Sequence, residues 1–216
     1  MTSKKCWLKP GTCPEKDIQE VMIKTLDDLV KQSQEWKAVI LFEDAVHQLH
    51  TTHTWHAIQR VWWKHTKQLE SNTGRSRLTI LWAVNPISLQ FSRVTTEAMC
   101  NMELCKQLIN QIASDYEAEI HNNTPVYMVL DNARYQRATI VQEYAKEKKV
   151  ILTFLPPYCP HLNLIERLWK WLKKKIRNKY FSTFKLFSDT IHNILWSLHL
   201  YNHELATELN PKFRII

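Results

Sequence analysis

Short apolar runs that alternate with helix-like segments constrain the fold of this chain more than any other feature. Residues 126–130 and 150–154 are apolar runs of strand length, and residues 136–148 between them repeat apolar side chains at helical spacing. Further helical patterns cover residues 97–119 and 162–178. Two strands joined through a helix pair in parallel, because the crossover needs a connection of about a dozen residues or more. The second half of the chain therefore predicts parallel strands covered by helices.

The first half of the chain predicts strands in direct succession. Apolar runs at residues 38–42, 57–63 and 78–84 have the length of strands, and consecutive strands favour an antiparallel meander. Helices are predicted over residues 15–35 and 184–205, near the two ends. Together these segments predict an α/β fold with a mixed five-stranded sheet and helices on both faces.

The composition is basic and poor in glycine. Of 216 residues, 29 are Lys or Arg and 21 are Asp or Glu, so the net charge is +8. This charge suits a polyanion such as nucleic acid, although a basic protein without such a partner would show it too. Because glycine occurs only at positions 11 and 74, the sequence argues against Gly-rich phosphate loops and dinucleotide-binding folds.

The sequence also bears on the location of the protein. Its five cysteines include no Cys-x-x-Cys pair, which argues against a disulfide framework and against a four-cysteine zinc site. The first residues given are not followed by an apolar run long enough for a signal peptide, and no apolar stretch reaches the roughly 18 residues that a membrane span needs. We therefore expect a reduced, cytoplasmic protein without a membrane partner, associated with the nucleoid if it is bacterial.

Three acidic residues occupy positions suited to catalysis. Asp44 follows the first predicted strand, Asp131 follows the fourth, and Glu166 lies in the first turn of the helix after the proline-rich residues 156–160. Functional groups gather at the carboxyl ends of strands in open α/β sheets. Carboxylates there suit Mg²⁺ or Mn²⁺, and two such ions about 4 Å apart can activate an attacking hydroxyl on a phosphodiester and stabilise its leaving oxygen. Taken singly, each acid has an ordinary structural interpretation: Asp44 as a turn residue, Asp131 as a helix cap and Glu166 as a favourable charge at a helix N-terminus.

The helix predicted after the proline-rich segment carries a basic stripe. Glu166, Lys170, Lys173 and Arg177 follow one another at intervals of four, three and four, so they share one face, and Lys174 extends the basic surface. Cations beside a metal site would hold a DNA backbone in place. The alternative is a solvated helix face on which Glu166 and Lys170 form an ion pair.

Four histidines recur at every third position, at His47, His50, His53 and His56. A metal site made from them is conceivable. The spacing fits neither the alternation of a strand nor a known zinc pattern, so we expect these residues on an exposed connection and assign them no metal.

Three motifs carry a resemblance to a known family. Residues 129–135 read Val-Leu-Asp-Asn-Ala-Arg-Tyr, residues 155–160 read Leu-Pro-Pro-Tyr-Cys-Pro, and residues 162–166 read Leu-Asn-Leu-Ile-Glu. Between Asp131 and Glu166 lie 34 residues. This pattern resembles the DDE domain of mariner-like transposases and, within them, the bacterial insertion-sequence branch.

The resemblance implies a ribonuclease-H-like fold and an activity on DNA. Asp44, Asp131 and Glu166 fall on the family's three catalytic, metal-binding positions, which implies two Mg²⁺ or Mn²⁺ ions. The implied reaction is hydrolysis at transposon ends followed by joining of the freed 3′ hydroxyl to target DNA, by a homodimer assembled on DNA. Two alternatives stay open: a catalytically inactive DNA-binding remnant, and a nuclease of the same fold that only hydrolyses.

The sequence departs from the family pattern at two places. The family commonly has an acid directly after the first Asp, but here Ala45 stands there and Glu43 precedes it. Gln136 stands where the family often has His.

The resemblance also predicts how the chain is divided. An arm and helix at residues 1–35 precede a catalytic domain at residues 36–205, and residues 206–216 form a C-terminal tail. The family reads its DNA ends with helix-turn-helix domains placed before the catalytic domain, and about 36 residues are too few for a pair of them. We therefore expect recognition of the ends to come from a separate helix-turn-helix polypeptide or a further N-terminal region.

Overall fold

The structure is a computed structural model, and it describes residues 15–51, 73–96, 100–177 and 179–215. Short 3₁₀ turns at Pro160–Leu162 and Leu198–Tyr201 connect some of the longer elements. In chain order, the helices and strands within these ranges are α1 (Lys16–Gln34), β1 (Val39–Thr51), β2 (Thr73–Val84), β3 (Phe91–Thr96), α2 (Met102–Asp115), α3 (Glu117–His121), β4 (Val126–Leu130), α4 (Thr139–Glu147), β5 (Val150–Phe154), α5 (Ile165–Ile176), α6 (Phe184–Trp196) and α7 (Asn202–Glu208).

The strands form one mixed sheet in the order β3-β2-β1-β4-β5. β1 is antiparallel to β2, and β2 is antiparallel to β3, whereas β4 is parallel to both β1 and β5. The predicted five-stranded mixed sheet is confirmed. The predicted strand at residues 57–63 lies outside the described residues, and the fifth strand is β3, which the sequence analysis missed. β3 is an edge strand with polar residues on both faces, so it lacks the apolar run by which the other strands were found.

The first strand is longer than predicted, and this corrects the position of one acid. β1 continues beyond Phe42 to Thr51 because β2 pairs with it along this length, with Asp44 opposite Trp82 and Gln48 opposite Leu78. Asp44 therefore lies inside β1 and does not end it. The inner face of this extension carries the polar residues Gln48 and His50, so an apolar-run criterion ended the strand too early.

Helices cover both faces of the sheet, as predicted. α1, α5, α6 and α7 contribute to the apolar core on one face, and α2 and α4 contribute to the core on the other. The apolar residues Ile165, Leu168, Leu172 and Ile176 of α5 are buried in the first of these cores. None of the described helices is long and apolar enough to cross a membrane. The division into residues 1–35, 36–205 and 206–216 stays a prediction.

The predicted helices are present with different bounds. The pattern at residues 97–119 forms α2, which begins after the N-cap Asn101, and the separate short helix α3. The pattern at residues 184–205 is interrupted after α6, where the Ser197 hydroxyl donates to the Asn193 carbonyl at 2.7 Å. Apolar spacing alone does not detect such interruptions, because it continues across them.

Two of the four periodic histidines lie in β1, so their predicted placement on an exposed connection was wrong. His47 is exposed, and its Nδ1 lies 3.0 Å from the Thr79 hydroxyl. His50 is buried on the opposite face, with Nε2 2.9 Å from the Phe181 carbonyl oxygen. Side chains three residues apart on a strand point to opposite faces, so these two rings cannot share an ion. His53 and His56 lie outside the described residues.

Candidate active site

The register between β1 and β4 brings two of the three acids to the same edge of the sheet. Phe42 pairs with Val129, and β4 ends one residue later, at Leu130. Asp44 and Asp131 each lie two residues beyond the paired positions. Because parallel strands run in the same direction, the two carboxylates emerge side by side where β4 leaves the sheet.

Asn163 connects this edge to the segment that precedes α5. Its buried Nδ2 donates to the carbonyl oxygen of Glu43 at 2.8 Å and to Oδ1 of Asp131 at 3.1 Å. One amide group therefore links β1, the end of β4 and the start of α5. The sequence analysis included Asn163 in a family motif but assigned it no role.

α5 contributes two side chains to the site. Glu166 lies in its first turn, and Trp169, one helical turn later, donates its indole N–H to Oδ2 of Asp44 at 3.0 Å. The indole of Trp169 also packs against Trp82, with ring centroids 6.1 Å apart. Since Trp82 is the residue that pairs with Asp44 on β2, the acid is fixed by its strand neighbour and by the helix above it.

The charges of neighbouring carboxylates raise the pKa values of Asp44 and Glu166. Burial, followed by the charges of Asp131 and Glu166, raises the pKa of Asp44 to about 7, although hydrogen bonds from Ala45 and Trp169 oppose the shift. Burial and the charge of Asp131 raise the pKa of Glu166, against the opposing charges of Lys173 and Lys170. Burial also raises the pKa of Asp131. The site is therefore short of positive charge.

This donor set fits a hard divalent cation by its chemistry. Asp44, Asp131 and Glu166 supply carboxylate oxygens, which are the ligands that Mg²⁺ and Mn²⁺ prefer, and a cation would relieve their mutual repulsion. In the described residues, no three or more His, Cys, Asp or Glu side chains are gathered tightly enough to hold an ion as they stand. The structure thus brings the three acids into electrostatic contact without closing a coordination sphere.

The predicted DNA-binding residues of α5 divide between two environments. Lys170, Lys173 and Arg177 are exposed, and the first two lie near Glu166, whose pKa they lower. Lys174 instead forms an ion pair with Glu208, with Nζ 2.8 Å from Oε1. It therefore points toward α7.

Glu43 and Gln136, the residues at the two departures from the family pattern, contact each other. Glu43, on the opposite face of β1 from Asp44, is fully buried, and its Oε2 accepts from Nε2 of Gln136 at 2.7 Å. Oε1 of Gln136 accepts in turn from the backbone N–H of Ala133, at 3.0 Å, just after Asp131. Burial, then the charges of Asp44 and Asp131, hold the pKa of Glu43 well above its usual range. Among the described residues, Oε1 of Glu43 has no hydrogen-bond partner.

The contact between Glu43 and Gln136 predicts a stability difference. Gln136→Leu should lower the free energy of unfolding by about 1–3 kcal/mol, because it leaves a buried carboxyl without its donor. Gln136→His keeps a donor and should cost less. The measurement is urea unfolding, with the exposed Gln142→Leu on α4 as the matched control. Equal stability of the two leucine variants would show that this hydrogen bond contributes nothing.

The raised pKa of Asp44 predicts how stability depends on pH without metal. A carboxyl whose pKa is higher in the folded state, here about 7 against 3.8, stabilises the fold below the lower value, and this stability is lost as pH rises to the higher one. Asp44→Asn should abolish roughly 2 to 3 kcal/mol of the loss between about pH 5 and pH 8 in EDTA. The exposed Asp189→Asn should keep the wild-type profile. Parallel profiles for wild type and Asp44→Asn would contradict the shift.

Comparisons with known proteins agree with this architecture. The family model described as DDE superfamily endonuclease matches residues 56–188. That range includes Asp131 and Glu166 but begins after Asp44. No curated protein matches the chain.

Solved structures of the mariner transposase Mos1 share the fold. Its isolated catalytic domain is 11% identical, with a TM-score of 0.58, over 94% of this chain and 95% of that one. The Mos1 paired end complex with Mg is 11% identical, with a TM-score of 0.69, over 97% of this chain and 65% of that one. The Mos1 strand transfer complex is 12% identical, with a TM-score of 0.66, over 97% of this chain and 62% of that one. The chain thus spans somewhat less than two thirds of the Mos1 chain in the strand transfer complex.

The predicted ribonuclease-H-like fold class is confirmed by these likenesses to a transposase catalytic domain. The family model covers more than half of the sequence, including the end of β4, the proline-rich segment and α5. This chain therefore belongs to the DDE superfamily endonucleases.

Proposed function

We propose that this chain is the catalytic domain of a DNA transposase, which cleaves phosphodiesters at transposon ends and joins the freed 3′ hydroxyl to target DNA. The observation that carries the proposal is the meeting of Asp44, Asp131 and Glu166 at one edge of the sheet. There the charges of Asp131 and Glu166 raise the pKa of Asp44, and the charge of Asp131 raises that of Glu166. The strand transfer and paired end complexes of Mos1, which share this fold, support the reaction class.

Asp44, Asp131 and Glu166 are the groups that would hold two Mg²⁺ or Mn²⁺ ions. The Mos1 catalytic domain has been described with Mn and with Mg, which supports these ions for a protein of the same fold. Bound ions would supply activation of the attacking oxygen and stabilisation of the leaving oxygen.

Neighbouring residues of this chain orient the acids. Asn163 donates to one oxygen of Asp131, and Trp169 donates to one oxygen of Asp44. Each bond restricts the rotation of the carboxylate that accepts it. Lys170 and Lys173, on the same helix as Glu166, would hold the DNA backbone by its phosphates, as would Arg177, while Lys174, which is paired with Glu208, would contribute less.

The finer assignments belong to the same proposal. The motif at residues 155–160 supports a place in the bacterial insertion-sequence branch, with action in the cytoplasm at the nucleoid. A paired end complex of Mos1 supports assembly of two subunits on DNA. Reading a terminal sequence needs an element inserted into a groove, which we assign to a helix-turn-helix segment or a separate polypeptide, because lysines that contact phosphates read no bases.

The three acids should act as one unit in catalysis. Asp44→Asn, Asp131→Asn and Glu166→Gln should each abolish cleavage of DNA in Mg²⁺ or Mn²⁺, because each change removes one charged ligand and nearly preserves side-chain volume. The measurement is nicking of a labelled duplex, with Asp189→Asn on α6 as the control that should cleave normally. Near-normal cleavage by any one of the three variants would remove that acid from the assignment.

A strand-transfer assay separates the proposed function from its alternatives. The wild-type protein should join a pre-cleaved 3′ end to a target plasmid, and the three acid variants should not. Cleavage without joining would identify a nuclease that only hydrolyses. DNA binding without either reaction would identify an inactive remnant.

The basic stripe of α5 should contribute to DNA affinity at every sequence alike. Lys170→Gln/Lys173→Gln should make the slope of log affinity against log salt shallower by up to about 1.8, or about 0.9 for each phosphate of B-DNA that the protein no longer neutralises. Lys174→Gln should change the slope less than Lys170→Gln or Lys173→Gln alone, since Glu208 already neutralises Lys174. An unchanged slope for the double variant would mean that the basic stripe faces solvent and does not contact DNA.

A further inference from the structure

A cleft of about 460 Å³ opens from the candidate active site toward the C-terminal end of the described chain. Glu166 and Lys170 of α5 line one wall, and Lys212 and Arg214 line the other. The cleft is therefore continuous with one of the three acids. Lys212 and Arg214 are not among the DNA-binding residues predicted from the sequence, which placed residues 206–216 in a C-terminal tail.

The chain beyond α7 is fixed against the core. Leu209 is fully buried, and Phe213 is half-buried with its ring 6.1 Å from that of Phe42, two residues before Asp44 on β1. Lys212 and Arg214 flank Phe213 and are exposed. Residues 209–214, which we call the C-terminal segment, thus have an inner apolar side and an outer basic side.

Arg167 fastens the C-terminal segment to α5. Its guanidinium donates through Nη1 to the carbonyl oxygen of Asn210 and through Nη2 to that of Lys212, the latter at 2.6 Å. Arg167 directly follows Glu166 in the helix. The two backbone contacts therefore set the position of the basic side chains relative to the acids, which a freely moving tail could not do.

In the described part of the chain the cations of the cleft form no ion pair, although Lys170 lies near Glu166, whereas the lysines on the neighbouring side of α5 are paired. Lys174 is paired with Glu208, and Lys175 with Glu204. Among the described residues, Lys170, Lys212 and Arg214 form no ion pair. Arg214 also lies close enough to Arg167 that its charge, after burial, lowers the pKa of that guanidinium. Cations held close together without direct ion pairs are stabilised by a polyanion that enters the cleft.

We propose that the cleft binds backbone phosphates of the DNA strand next to the phosphodiester at the three acids, with Lys212 and Arg214 as phosphate ligands. The identity of the polyanion rests on the proposed function. Charges on one strand recur about every 3.4 Å along the duplex axis, so a strand that reaches Glu166 presents further phosphates to the adjoining cleft. Arginine can bind a phosphate through two parallel N–H bonds, and lysine binds one as a point charge. These contacts position DNA without reading its sequence.

Lys212→Gln/Arg214→Gln tests the cleft through DNA binding in EDTA, where cleavage cannot contribute. The probe is a fluorescein-labelled duplex of arbitrary sequence, and its dissociation constant is measured by anisotropy over a range of salt concentrations. The double variant should bind roughly tenfold or more weakly, as expected when two hydrogen bonds to a charged group are removed. Its salt slope should be shallower by about 1.8.

Two control variants isolate the position of the charges. Lys146→Gln/Lys149→Gln removes two exposed charges at α4, on the opposite side of the sheet from α5, and should keep wild-type affinity. Lys212→Arg/Arg214→Lys keeps both charges in the cleft and should also keep it. Thermal unfolding of each variant should match the wild type, because all four side chains are exposed.

Equal affinity and equal salt slope for Lys212→Gln/Arg214→Gln and Lys146→Gln/Lys149→Gln would overturn the assignment of the cleft. That result, together with cleavage by the wild-type protein in Mg²⁺ or Mn²⁺, would leave the proposed function intact. Conversely, a weakening confined to Lys212→Gln/Arg214→Gln, with no cleavage by the wild type, would support the cleft as a DNA-binding site and refute the catalytic proposal.

Discussion

The parallel pairing of β4 with β1 covers only Val39 to Phe42, and the open edge that it leaves is where the acids gather. β2 continues to pair with β1 past this point, so β1 continues as a strand after it loses its neighbour on the other side. The carbonyl of Glu43 would otherwise lack a partner at this edge, and the side-chain amide of Asn163 supplies one. The same amide donates to Asp131, so one side chain both satisfies the backbone carbonyl of Glu43 and positions a carboxylate of the site.

Adjacent residues of β1 place carboxyls on both faces of the sheet beneath this edge. Asp44 faces α5, while Glu43 faces the core under α2 and α4, where its charge also affects Cys105 and Tyr135. Hydrogen bonds from Trp169 and Gln136 offset only part of the cost of gathering negative charge in a poorly solvated place. A fold that keeps such a cluster gives up stability of its metal-free state for a site that a cation completes.

Most of the fold could be predicted from the sequence, because β4, β5 and the helices around them have clear apolar periodicity. The polar edge strand β3 and the extension of β1 could not, since both depend on pairing with β2 more than on their own composition. Asp131 and Glu166 are indicated by motifs, but Asp44 precedes the range that the family model matches, and only strand register brings it beside Asp131. Arg167 and the C-terminal segment have no local sequence signal, because guanidinium-to-carbonyl contacts across 43 residues follow from tertiary structure alone.

The alternation along β1 also bears on how copies of such a gene decay. Phe42 and Asp44 face one side of the sheet and Leu41 and Glu43 face the other, so inserting or deleting one residue within Val39–Phe42 exchanges the two sets. A copy with such a change would retain all three acids and every motif by which it would be recognised. Yet either the apolar side chains of β1 or the carboxylate of Asp44 would lie on the wrong face of the sheet. Among related genes, the number of residues between the apolar pattern of β1 and the first Asp should therefore be even or odd as it is here in intact copies. A search for the acidic residues alone would count a shifted, inactive copy as intact.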